Sequence, residues 1–446
     1  MRAINHTRLL IAASILSVGA LLATGCVRAQ DPALDEETIT EAYVYLLGRA
    51  LIIRQENLDV DSKGLEYNVV HHNPLASVDF VNPNMSVTNS QLWIAVDDDT
   101  PVVLDIPQVE GRYYTAQICD EWGEVITNIN QRNFPLQPYG KFAFVAPGYT
   151  GEVPDGAVRI ELRSYKAKML ARVELQNSPD VAVGLRDQIR ASALGKPDFP
   201  PAIDLPEFDN ESLIGVELFD HAEQILTSAI DVSPKATQLQ AKVRAVAQEI
   251  GNPQIREAAD ALLRDKVIPE FLQFAVTEAG ASKNNWLGTL IVGNYGDDYA
   301  IRTAANLVGI WAQSRHEVIY HVTTRDGGGE QLHGDNRYVL HFAADALPQD
   351  VANVLWSLHL VSLPDFRPVP NSLDRFVLST WSDVTKEPDG SLKLLIAPQP
   401  DESVAESNWL PSPAGQPFSL TFRAYVPKPV VQSGEWFPPP VEVIGQ

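Results

Sequence analysis

The sequence predicts a mainly β protein with an α insertion: two antiparallel β-sandwich or jelly-roll-like domains connected by a helical block. Three observations lead there. Short β-rich runs, separated by Gly, Pro, Asn and Asp, fill residues 75–175 and return from Val318. Between them the apolar residues recur every three or four positions, the helical period. The chain also holds 32 prolines and 27 glycines alongside 45% apolar residues, which suits many turns around sizeable cores and argues against disorder.

Taken in order, the chain begins with an expected export signal over 1–29. Arg2 and Arg8 precede an uncharged stretch from Leu9 to Ala23, which is short for a membrane span and suited to a signal core. Two processing sites compete. "LLATGC" resembles a lipobox ending at residue 25, which would lipidate Cys26; Val27 and Ala29 instead offer cleavage before Gln30. Either way the expected location is outside the cytoplasm, in the periplasm or lipid-anchored to the cell envelope. Cys26 is then lipidated or removed, so Cys119 has no disulfide partner and is expected to be buried and inert.

The N-terminal β domain is expected over 30–178. It opens with a helix, "LDEETITEAYVYLLGRALIIRQE", whose first-turn acids suit the positive end of the helix dipole. Strands follow at "SQLWIAV", "PVVLDI", "RYYTAQIC", "KFAFVAPG" and "AVRIELRS". The helical block is expected over 179–317, carried by "SLIGVELFDHAEQILTSAI", "KATQLQAKVRAVAQEI" and "DYAIRTAANLVGIWAQ". The C-terminal domain, 318–446, contributes "VIYHVTT", "NRYVLHF", "NVLWSLHLV", "LKLLIA" and "FSLTFRAYV", then a Pro-rich tail that Trp436 and Phe437 pin to the body. The similar strand counts leave room for a diverged duplication.

The formal charge of −23 makes nucleic acid an unsuitable partner and leaves a lipid on Cys26 as the route to a membrane. No G-x-S-x-G elbow and no phosphate loop is present. In "HEVIYH" the histidines sit five apart, about 140° around a helix, which does not make a zinc-protease site. No cofactor or metal is expected. His341 and His359 are a candidate pair: a hairpin centred near Asp350 sets them opposite each other. In "GNYGDDYAIR", Asp297 or Asp298 suits a helix cap, and Tyr295, Asp298 and Arg302 are candidate ligand contacts. Alternation along "RYYTAQICDEW" sets Tyr114, Ala116, Ile118, Asp120 and Trp122 on the core face. A carboxylate there must be paired, either as a loop anchor or as a working acid.

"PVVLDIPQVEGRYYTAQICDEW" and "FAFVAPGYTGEVP" resemble the domain of unknown function 1254. "GDNRYVLHF", "LWSLHLV", "VPNSLDRFVLS" and "NWLPSPAGQPFSLTFRAYVPKP" resemble the domain of unknown function 1214. The resemblance implies two β domains with helices between them and an exported protein, and it implies no reaction. One stretch departs from the family pattern Pro-Asn-x-Asp-Thr-x-Tyr: after Pro83 and Asn84, the positions of Asp, Thr and Tyr hold Ser86, Val87 and Asn89.

The function expected first is binding of a small molecule or glycan in a cleft between the β domains, with Trp122, Tyr295, Asp298, Arg302, Arg375 and Trp409 as contacts. The alternatives are a hydrolase or lyase using Asp120 or Glu121 with a histidine, His359 or His341, or a tyrosine of the second domain, and a purely structural lipoprotein. Convergence of Asp120, Arg302 and a histidine in one cleft would favour the enzyme.

Overall fold

The computed structural model describes residues 34–78 and 83–445. The export signal and Cys26 lie outside the described residues. Asp35 caps α1 (Glu36–Asn57), its carboxylate accepting from the Thr38 N–H at 2.7 Å. From Tyr43 to Ile53 every side of this helix is buried, as an apolar sequence without a polar face requires. It is the axis of the helical layer and packs against α4 (Ala236–Glu249) and α7 (Tyr299–Val308). Gly48 allows the closest approach: a Cβ there would sit 2.5 Å from Thr303 Oγ1. That hydroxyl donates to the Val44 carbonyl.

The first sandwich uses β1 (His71–His72), β2 (Ser90–Ala95), β3 (Val102–Ile106), β4 (Tyr114–Cys119), β5 (Val125–Ile129), β6 (Gly140–Val145), β7 (Val158–Glu161), β8 (Lys166–Val173) and β9 (Arg190–Ala193). One sheet runs β1-β2-β8-β4-β5 and the other β7-β6-β3-β9. Leu92, Ile94, Leu104, Ala116, Ile118, Phe142, Phe144 and Met169 fill the space between them.

The second sandwich uses β10 (Ala281–Lys283), β11 (Trp286–Gly288), β12 (Val318–Thr323), β13 (Arg337–Phe342), β14 (Trp356–Ser362), β15 (Val377–Ser379), β16 (Leu392–Ala397), β17 (Trp409–Pro411), β18 (Phe418–Tyr425) and β19 (Val441–Gly445). Its sheets run β10-β11-β12-β18-β14-β15 and β17-β16-β13-β19. Leu340, Phe342, Leu358, Leu394, Leu420 and Phe422 make its core.

The two sandwiches share one topology. Adding ten to each strand number of the first gives the order of the second, with β10 as the extra edge. The agreement extends to strand direction: β6–β7 and β16–β17 are the parallel pairs in otherwise antiparallel sheets. A match of order and direction at every strand indicates a duplicated unit. The residues alone had shown only similar strand counts.

Several expectations change. The sheets cross the boundaries expected at 178 and 317, because β9 pairs with β3 and β11 pairs with β12. His341 and His359 do not face each other. His341 lies opposite Lys393 on β16, and His359 opposite Val377 and Thr421 in the other sheet. The 343–355 connection passes between the two sheets of a sandwich and does not close a hairpin. Among the described residues no helix is long and apolar enough to cross a membrane.

Candidate functional site

The alternation read along "RYYTAQICDEW" stops at Cys119, where β4 ends. Asp120 begins a turn and is its anchor. Its Oδ1 accepts from the N–H groups of Trp122 (2.9 Å) and Glu124 (3.0 Å), and its Oδ2 takes Arg163 Nη1 at 2.6 Å. Burial raises its pKa, and Arg163 and the two N–H groups offset part of that rise. Three of the carboxylate's about four acceptor sites are used inside the protein, and the side chain is buried, which is the environment of an anchor. Asp120→Asn keeps Oδ1 as an acceptor but removes the charge facing Arg163. We expect it to cost about 1–2 kcal/mol in urea denaturation; a change below about 0.5 kcal/mol would contradict the anchor role.

The rest of the turn is equally internal. Glu121 pairs with Arg49 at 2.8 Å, both almost fully buried. Burial pushes the Glu121 carboxyl up to about 7, with Arg49 and Lys166 opposing. The Trp122 indole lies under the Arg302 guanidinium (4.9 Å) and against Tyr45 (4.8 Å), and donates to the Ala229 carbonyl. Gly123 adopts φ +87° beside Asn306. Glu124 accepts from the Tyr295 N–H. Arg302 itself makes two bonds to Asp231, at 2.8 and 3.0 Å. Burial pushes the Cys119 thiol up, away from thiolate chemistry.

Asp120, Trp122, Tyr295 and Arg302 are therefore brought together, but as the joint between sandwich and helices and with their polar groups facing protein. Asp298 is the first residue before α7 but makes no side-chain cap bond. Arg375 donates to the carbonyls of Glu406 and Trp409, and the Trp409 indole donates to Ala397. Both fix a loop. His341 is exposed on β13, away from His359. The convergence expected of an enzyme is not present. Among the described residues, no group of three or more His, Cys, Asp or Glu side chains is placed to hold a metal ion.

A different set of residues faces across the seam between the sandwiches. The outer face of β12, β18 and β14 carries Tyr320, Arg423 and Ser357 in one row, and Val322, Thr421 and His359 in the next. The outer face of β8 meets it: Arg172 Nη1 donates to the Tyr320 hydroxyl at 3.2 Å. Arg423 lies over the Tyr320 ring at 5.8 Å and donates to His359 Nε2 at 3.1 Å. A guanidinium can only donate, so His359 is neutral with its proton on Nδ1. Its basicity is well below the usual imidazole range, first through burial and then through Arg423. Burial pushes the Tyr320 phenol up, but Arg172 and Arg423 together outweigh it and hold its pKa below the ordinary value.

The seam is closed on one flank by Glu317, which accepts from the Tyr113 hydroxyl (2.9 Å), Asn130 (3.0 Å) and Arg132 (2.5 Å). On the other flank lies the stretch that departs from the family pattern. The Asn84 amide donates to the Tyr425 hydroxyl at 2.6 Å, and the Pro83 carbonyl accepts from Arg423 at 3.3 and 3.4 Å. Val87 packs with Tyr113 and Tyr425. None of Arg172, Tyr320 and Arg423 stood out in the sequence. A strand such as "FSLTFRAY" alternates apolar and polar whether its second face meets water or another domain.

Comparison with known proteins agrees with this architecture. Residues 67–192 match a protein of unknown function, DUF1254, and residues 317–429 match a second, DUF1214. The chain belongs to the DUF1254–DUF1214 proteins. A crystal structure of a Vibrio parahaemolyticus protein is 18% identical over 92% of this chain and 99% of its own, with a TM-score of 0.63, and so shares the fold. An uncharacterised Burkholderia cenocepacia protein aligns over 92% and 93% at 11% identity, with a TM-score of 0.45. No curated protein matches significantly. In this DUF1254–DUF1214 chain an open cleft of about 1090 Å³ lies away from the seam. Arg54, Tyr67, Phe199 and Phe208 line it, with Asp61 and Glu207 among its acids. None of the residues chosen from the sequence lines it. Its one arginine is stacked on Phe208 at 4.9 Å and bonded to Asn210.

Proposed function

We propose that the protein is exported and binds a small polar molecule in the seam between its two sandwiches. One observation carries the reading: this interface is a polar layer with unused hydrogen-bonding groups. At the seam, Arg172 Nε and Arg423 Nε are buried without partners. Buried polar groups are normally satisfied, and each orphan costs about 1–3 kcal/mol. Two orphaned guanidinium nitrogens in one layer suit a layer completed by a ligand. A permanent interface between sandwiches needs no unpaired charge, and here the atoms without partners are on two guanidiniums that no carboxylate meets.

The test is thermal denaturation of the purified protein with sugars, amines and organic acids. A ligand at 100 times its dissociation constant stabilises by about 2.7 kcal/mol. Thr421 is half-buried on the seam face between Val322 and His359. Thr421→Phe adds bulk at that position without altering a charge and is expected to abolish the stabilisation. Stabilisation that survives Thr421→Phe unchanged, or no response to any class, would rule out the seam. The mass of the protein recovered from the cell envelope tests export: a chain that retains Met1 contradicts it.

A further inference from the structure

Resting on the seam as a binding site, we infer that its ligand is an organic carboxylate held between Arg172 and Arg423. The two arginines come from the outer faces of the two sandwiches. Arg172 is on β8, opposite Thr115 of β4; Arg423 is on β18, opposite Ser357 of β14. β8 and β18 are equivalent strands of the two units, and β4 and β14 likewise, so the two arginines stand on equivalent strands. The sandwiches meet through these outer faces, which sets one guanidinium at the Tyr320 hydroxyl and the other over its ring.

The charge in this place is uncompensated. Elsewhere in the protein, buried cations have carboxylates: Arg49 has Glu121, Lys166 has Glu56, Lys168 has Asp59, and Arg302 has Asp231. Among the described residues no carboxylate pairs with Arg172 or Arg423. Arg423 is 6% exposed, and what it touches is neutral: His359, the Pro83 carbonyl and the Tyr320 ring. Its Nε has no partner, and Arg172 raises the electrostatic cost of its charge further. A buried guanidinium without an acid, beside a second half-buried one, favours an anion.

The geometry favours a carboxylate over a bare inorganic anion. Pro83 occupies the Arg423 Nη atoms only through long bonds of 3.3 and 3.4 Å, an acceptor that a carboxylate oxygen can displace. Around the charges stand Ser357, Thr421 and neutral His359 on one sheet and the rings of Tyr320, Tyr425 and Tyr113 at the interface. These groups suit the carbon body of an acid. A fully hydrated phosphate has no use for them. The overall charge of −23 repels anions everywhere else, so a local cationic pair is selective for its occupant.

The experiment is calorimetric titration of the purified protein with benzoate and succinate, against benzamide, succinamide and inorganic phosphate. Binding of at least one acid is expected, at least about tenfold tighter than its amide and tighter than phosphate. Arg423→Met and Arg172→Met should each weaken acid binding about 30-fold or more. Because each removes an unpaired buried charge, the ligand-free variants should melt at or above the parent temperature, which separates lost binding from lost folding. Equal binding of amides at the seam would overturn the carboxylate and leave the seam reading standing. Phosphate binding tighter than any acid would also overturn it. Failure of every probe would overturn both. A large fall in the melting temperature of ligand-free Arg423→Met would show that the arginine is structural and overturn the inference.

Discussion

Asp231→Ala is expected to lower global stability by about 3–5 kcal/mol. Arg302 is almost fully buried and its guanidinium is held by both oxygens of Asp231, at 2.8 and 3.0 Å. Asp231 also accepts from the Tyr45 hydroxyl and the Ser233 N–H. Burial would raise the Asp231 pKa, but bonds to Arg302 overcome it and hold the carboxyl below its usual range. Removing the acid strands the cation beneath Trp122 and Tyr45, with Glu124 as its remaining acid at 3.7 Å. The cost comes from that stranded charge rather than from the lost attraction. The double variant Asp231→Leu with Arg302→Met, which removes both charges and keeps apolar volume, should therefore recover most of the loss. Urea denaturation of single and double variants measures this. A double variant as unstable as the single one would show that the pair itself supplies the stability.

The second large effect is a loss of stability in acid, carried in part by His321. This side chain is fully buried and neither ring nitrogen has a hydrogen-bond partner. Phe422, Trp436 and Phe437 enclose it, and no charged group faces it. Burial alone pulls its pKa from 6.5 down to about 3. The sign follows from proton uptake. Above 6.5 the ring is neutral in both folded and unfolded chains, and the pocket contributes its full stability. As the pH falls below 6.5 the unfolded chain binds a proton that the folded chain refuses, so stability drops until about pH 3. At pH 5 the loss from this one group is about 2 kcal/mol, at 1.36 kcal/mol per pH unit. Glu121 acts oppositely: its pKa is raised to about 7, so it contributes stability as the pH falls from there. The difference between the parent and His321→Leu cancels that contribution and isolates the histidine. The variant should lose about 2 kcal/mol less between pH 7 and pH 5 in urea midpoints. Identical pH dependence in both proteins would show that His321 is solvated.

These two sites also mark how far the residues alone could be read. Arg302 stood out in "GNYGDDYAIR" because a cation beside glycines, tyrosines and acids at a helix start has the composition of a binding loop. Its partner, Asp231, lies 71 positions earlier, and nothing local signals the pairing. His321 was set aside with "HEVIYH" because its spacing failed a metal test. That test carries no information about the tail, which brings Trp436 and Phe437 over the ring from more than a hundred residues away. Asp120 was recognised as an acid that must be paired, and it is; Arg163, 43 residues on, was not foreseeable.

The sequence by itself determined the class and order of the structure: a leading helix, a β domain, a helical block and a second β domain. These follow from the period of apolar residues and from turn chemistry, which act over a few residues and can be read locally. It also determined the family, through an ordered series of local motifs. Tertiary structure alone decided that the two β units share one topology, that β9 and β11 belong to sheets rather than to the helical block, and that His341 and His359 stand apart. It alone decided that Arg172 and Arg423 meet at Tyr320. The physical reason is the same in each case. A strand's alternation shows which face is apolar but does not show what covers the other. Whether an alternate arginine points to water or into a dry interface depends on which strands pair and which sheets pack, and those contacts join residues tens to hundreds of positions apart.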